Sequence, residues 1–142
     1  MNKQDISIGS LKLGEKPRIA AIVDRVLPDR TLTGLSSRGV DLIEMRVDLF
    51  EEDLDTTISF VEHVRNRTGL PLIGTVRESE RIGADRLDVF ERVLPLVDAV
   101  DIEIDADIRD RVVGKADGKT VIVSEHDFAQ TPSTNRLETM VR

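Results

Sequence analysis

The chain has 142 residues, no cysteine and a formal net charge of −7 at pH 7. Disulfides and thiolate metal sites are excluded, and the acidic balance argues against nucleic acid or an anionic membrane as a main partner. With 39% hydrophobic residues the chain can build a core of its own, and no apolar run is long enough to span a bilayer. The N-terminal text MNKQDISIGS lacks the basic and apolar regions of a secretory signal, so a cytoplasmic location is expected.

The first element is a hairpin. ISIGSLKLG (6–14) alternates apolar with small or polar residues around Gly9-Ser10. Residues 18–23 (RIAAIV) predict a strand, followed by a helical segment that ends at Gly39. Residues 41–48 (DLIEMRVD) predict a second strand. Residues 54–68 predict a helix with Asp53 or Asp55 as cap, Ile58, Val61 and Val64 on one face, and Gly69 at its end. A third strand is expected over 70–77, a helix over 84–94 stopped by Pro95, a fourth strand over 99–105, and a short helix over 106–113 leading to Gly114. The fifth strand, TVIVSEHDF, is followed by TPSTNRLETMVR, a helix with Thr131 as cap and Pro132 at its first position.

Strands that alternate with helices imply an α/β fold with a parallel sheet. No glycine-rich phosphate motif follows the first strand, which disfavours a nucleotide-binding domain. Side chains alternate faces along a strand. Glu44 and Arg46 share one face of the second strand, Thr75 and Arg77 one face of the third, Asp101 and Glu103 one face of the fourth, and Ser124 and His126 one face of the fifth. An open sheet covered by helices on both sides needs two apolar faces. A (β/α) barrel resolves the conflict, with apolar faces toward the helices and polar faces in the lumen. Glu44, Arg46, Arg77 and His126 then gather at the carboxyl ends of the strands, where barrel active sites lie. Each also has a plainer role: Glu44 and Arg46 as a structural ion pair, Arg77 as a neutralising partner, His126 as a satisfied core histidine. Asp24 and Asp127 read equally well as caps, His63 as surface, and two histidines far apart with no ligand spacing make a weak case for a metal.

These motifs resemble the type I 3-dehydroquinate dehydratases. ISIGSLKLG looks like the hairpin that closes the base of that barrel, LIEMRVD like its Glu-x-Arg-x-Asp strand, PLIGTVR like its arginine-ended strand, and VIVSEHDFAQTP like its histidine segment. The resemblance implies dehydration of 3-dehydroquinate to 3-dehydroshikimate in the shikimate pathway, with no metal or organic cofactor, through a Schiff base on a lysine. It assigns His126 as the catalytic proton carrier and Glu44, Arg46 and Arg77 as substrate-binding residues, with Glu44 also orienting the histidine. It implies one domain over 1–142, a partial (β/α)8 barrel of about five βα units, with a hairpin in 1–16 and the units over 17–142.

Two departures stand out. Arg81 occupies the position of a family glutamate, and Gly83 alone remains of a glycine pair. The family's Schiff-base lysine follows the histidine strand, and none of the five lysines, Lys3, Lys12, Lys16, Lys115 and Lys119, is expected at the carboxyl end of a strand. The chain alone is therefore expected to be inactive, and to form a homodimer or pair with a missing C-terminal half. The rivals are a non-catalytic binding or assembly remnant, a complementing fragment, and an unrelated lyase using His126 and Glu44 as an acid/base pair.

Overall fold

Apolar side chains that face alternately in and out along each strand set the architecture. The computed structural model describes residues 5–141. Lys3, the start of the 1–16 segment and Arg142 lie outside the described residues.

Strands β1 (Ser7–Ile8) and β2 (Leu11–Lys12) form an antiparallel hairpin. Gly9, at its turn, has φ +55°, and a Cβ there would stand 3.1 Å from Asp98 Cγ, so glycine meets both the turn and the contact. Five parallel strands follow: β3 (Ala20–Val23), β4 (Leu42–Arg46), β5 (Leu72–Thr75), β6 (Ala99–Glu103) and β7 (Thr120–Ser124). They are hydrogen-bonded in sequence order. The helices between them are α1 (Asp29–Thr33), α2 (Leu54–Thr68), α3 (Arg86–Val93) and α4 (Arg109–Lys115), and α5 (Thr134–Met140) comes last.

Helix α2 starts where Asp53 accepts from the Thr56 amide at 2.8 Å and ends where Gly69 takes the left-handed conformation, φ 62°. It buries Thr57, Phe60, Val61 and Val64, one stripe at helical spacing. That stripe joins Ile43 and Met45 of β4, Val100 and Ile102 of β6, and Val89, Phe90 and Val93 of α3 in the main core. A second, smaller core lies on the opposite face of the sheet. Ile8 of the hairpin packs there on Leu42, Ile73 and Ala99, with Ile122 beside them. Thr120 Oγ1 donates to the Ser7 carbonyl at 2.6 Å, tying the hairpin to β7. The hairpin therefore packs under the lumen face of the sheet, and polar residues begin one layer above it.

Several element boundaries differ from expectation. The second strand stops at Arg46 because residues Val47–Leu49 turn as a 3-10 helix. Helix α4 starts later than predicted and runs through Gly114 to Lys115. The cap of α5 is Ser133, whose hydroxyl accepts from the Arg136 amide at 3.3 Å. Thr131 and Pro132 therefore precede the helix.

Candidate active site

Side chains on the lumen face of the sheet form layers above the apolar base. The first polar layer is Glu44, Thr75, Asp101 and Ser124. Thr75 Oγ1 donates to Glu44 Oε1 at 2.7 Å, and Ser124 Oγ donates to Asp101 Oδ1 at 2.7 Å. The next layer, at the carboxyl ends, is Arg46, Arg77, Glu103 and His126. Arg46 meets Asp48 through two parallel contacts, Nε–Oδ1 at 3.1 Å and Nη2–Oδ2 at 2.7 Å. The 3-10 turn after β4 makes this fork possible, because it folds Asp48 back beside the strand that carries Arg46. The fork holds the Arg46 guanidinium above its ordinary proton affinity.

Arg77, just past β5, is the centre of the site. Its Nη2 lies 2.9 Å from Asp101 Oδ1 and 2.8 Å from His126 Nε2. Its Nη1 donates to Ser124 Oγ at 3.1 Å and faces Glu103 Oε2 at 3.4 Å. A guanidinium has donors only. This contact therefore requires His126 Nε2 to accept, with the ring proton on Nδ1. Glu103 feels opposing influences. Burial pushes its carboxyl up, but the hydrogen bond from Arg86, a backbone hydrogen bond and the nearby guanidinium charges outweigh burial, so it titrates below the ordinary range.

Glu44, Arg46, Arg77 and His126 line one cavity of about 660 Å3, together with Ile22, Glu103, Ser124 and Phe128. The four residues singled out in the sequence thus meet in one place. One expected contact is replaced: Glu44 was to orient the histidine, but Glu44 is held by Thr75 and His126 by Arg77. The Phe128 ring lies nearly parallel to His126, centroids 6.0 Å apart, and is 97% exposed. Asp127 caps its own turn, accepting from the Ala129 and Gln130 amides at 2.9 Å. Asp24 pairs with Arg25. His63, expected at the surface, is half-buried, stacks on Phe60 and places Nε2 2.7 Å from Asp29 Oδ1. Among the described residues no group of three His, Asp or Glu side chains converges to hold a metal ion.

Arg81, which stands where the family motif has a glutamate, leaves the cavity. Its guanidinium donates to the Val47 carbonyl at 2.9 Å, to Thr57 Oγ1 at 3.1 Å and to the Glu52 carbonyl, and so ties the loop after β5 to the start of α2. On the other rim, Arg136 of α5 grips Glu125 (2.7 Å) and Asp105 (2.7 Å) and anchors the histidine loop.

The sequence model of the type I 3-dehydroquinase family matches residues 28–142. The chain belongs to that family. It is 37% identical over 150 residues to a 3-dehydroquinate dehydratase of Methanosarcina barkeri, covering 96% of this chain and 62% of the relative. A Methanococcoides burtonii 3-dehydroquinate dehydratase is 32% identical, covering 96% and 63%. The crystal structure of the 3-dehydroquinate dehydratase from Aquifex aeolicus superposes with a TM-score of 0.75 at 28% identity, over 88% of this chain and 61% of that one. The chain thus spans about three fifths of the length of the relatives it matches, and its five strands form a partial barrel of the dehydroquinase kind.

Proposed function

We propose that the cavity of this chain is the half of a 3-dehydroquinate dehydratase site that binds the substrate and moves its protons. The observation that carries this reading is the convergence of Glu44, Arg46, Arg77 and His126 at the carboxyl ends of adjacent barrel strands, in a chain of the type I family. The substrate is a small polyhydroxylated carboxylate bearing a ketone. Arg46 and Arg77 offer it charged donors, and Glu44 offers a carboxylate oxygen to a hydroxyl. His126 meets Arg77 through Nε2 and is exposed at the cavity mouth. When a substrate hydroxyl displaces Arg77, its Nε2 is free to accept a proton and later return it.

The family's electron sink is an imine formed on a lysine. The described lysines lie elsewhere. Lys12, on the hairpin, pairs with Asp5 and Glu15, and Lys16 follows the hairpin. Lys115 pairs with Glu91 on the helical shell. Lys119 donates to the Val97 carbonyl at the base of the sheet. The 142-residue chain by itself is accordingly a binder that does not form the imine. In a longer polypeptide, or in a pairing that brings a lysine to the open side of the sheet between β7 and β3, the same residues serve the whole reaction. A cytoplasmic location goes with this proposal and with a cysteine-free sequence.

The test is incubation of the chain with 3-dehydroquinate and borohydride, read by intact mass, beside a thermal melt with and without the ligand. The expected result is no covalent adduct and a saturable rise in melting temperature, since a ligand that binds only the folded state stabilises it. A stable adduct would show that one of these lysines forms the imine. No stabilisation at any ligand concentration would remove the binding role.

A further inference from the structure

Arg86 lies in the first turn of α3, on the helical side of the sheet, yet it is only 7% exposed. A buried charge has to be paired and hydrogen-bonded to be tolerated. Its Nε donates to the Val76 carbonyl at 2.7 Å, its Nη2 meets Glu103 Oε2, and its guanidinium carbon lies 5.7 Å from the centroid of the Phe90 ring. These contacts leave it little freedom. They also fix Glu103 from behind, while Arg77 approaches the same Oε2 atom from the lumen at 3.4 Å.

We infer that Arg86 is a positioning residue for His126, acting through Glu103 and Arg77, on the reading of the cavity given above. Held by Arg86 at Oε2, Glu103 takes Arg77 through a single long contact at that same atom. That leaves Arg77 Nη2 directed at Asp101 and His126. Without Arg86, Glu103 keeps only a backbone hydrogen bond and its long contact with the Arg77 guanidinium. The favoured pairing is then a two-point fork of Arg77 on Glu103, which draws Nη2 away from the imidazole. The nitrogen of a histidine that carries the proton is set by its hydrogen bonds, so the consequence is a change of tautomer at His126.

The chain's two histidines make this readable. His126 Nε2 accepts from Arg77, which requires the Nδ1–H form. His63 Nε2 faces the Asp29 carboxylate, which accepts only, and so requires the Nε2–H form. Long-range proton–nitrogen NMR, at a pH where both rings are neutral, distinguishes the two forms and needs no substrate. Failure of this inference is thus separable from failure of 3-dehydroquinate to bind.

The wild type is expected to show the Nδ1–H form at His126 and the Nε2–H form at His63. Arg86→Lys, which keeps a cation on Glu103, is expected to preserve both. Arg86→Met is expected to lose the Nδ1–H form at His126 alone. Arg86→Met combined with Glu103→Gln removes the competing carboxylate. It also leaves no unpaired buried charge, and so provides a folded comparison if Arg86→Met does not fold. This double variant is expected to regain the Nδ1–H form, a rescue that a purely structural arginine would not give. The Nε2–H form at His126 in the wild type, its Nδ1–H form in Arg86→Met, or no rescue in the double variant would each overturn the inference.

Discussion

Gly74, in the middle of β5, is where the sheet and its helical cover come closest. A Cβ at this position would stand 2.6 Å from Val93 Cγ1 and 3.3 and 3.4 Å from the two Val97 methyls. Carbon atoms in a core rest about 3.5 to 4.0 Å apart, so Gly74→Ala creates an overlap of about 1 Å with Val93. Both valines are fully buried, and a β-branched side chain has little rotamer freedom. Overpacking of this kind costs about 1 to 3 kcal/mol. Loss of backbone entropy in the unfolded chain offsets about 0.4 to 1 kcal/mol of that, leaving a net destabilisation of about 1 kcal/mol. Val93→Ala alone removes two buried methyl groups and costs about 2 kcal/mol. In the double variant the new methyl enters the space vacated, so the cost should fall short of the sum by at least about 1 kcal/mol. Urea unfolding of the four proteins, compared at constant m value, measures this cycle. Strict additivity, or a Gly74→Ala variant within about 0.5 kcal/mol of wild type, would refute the packing account. The consequence reaches the site, because the next residue, Thr75, holds Glu44.

Three further outcomes are expected. Glu103 titrates below the ordinary range, so it contributes stability above its unfolded value that is lost as pH falls through the folded one. Glu103→Gln should therefore show a shallower loss of stability than wild type on acidification below about pH 5, followed by chemical denaturation at stepped pH. Ser133→Ala should destabilise α5 locally by about 1 kcal/mol, with Thr131→Ala within a few tenths of wild type, as read by amide exchange in that helix. Phe128→Ala, which removes a 97% exposed ring, should leave the unfolding free energy within about 0.5 kcal/mol of wild type while shifting the His126 ring resonances.

Alternation of period two makes the lumen legible from the residues alone. Glu44, Arg46, Arg77 and His126 could be placed on one side of a curved sheet because Ile43, Met45, Val76 and Val123 had to lie on the other. The hairpin was legible too, from alternation around Gly9-Ser10. What the sequence hid were contacts between side chains on different elements. Nothing local says that Arg77 spans to Ser124 and His126, or that Thr75 takes Glu44. Arg86 carries no local signal in the sequence, and only its burial singles it out. Arg81 departs from the family motif, and the structure gives it a different task, tying the loop after β5 to α2. The cap of α5 was misplaced because Thr131, Ser133 and Thr134 all carry hydroxyls, and only the backbone turn chooses among them.

On the proposed function, this cavity holds 3-dehydroquinate without covalent capture. A titration of the isotopically labelled chain with that ligand, followed by NMR, tests it most directly. Saturable shifts at Arg46, Arg77 and His126, lost on Glu44→Gln or Arg77→Met in a folded protein, are the predicted result. Absence of saturable shifts, or shifts confined to the hairpin base around Gly9 and Arg65, would contradict it.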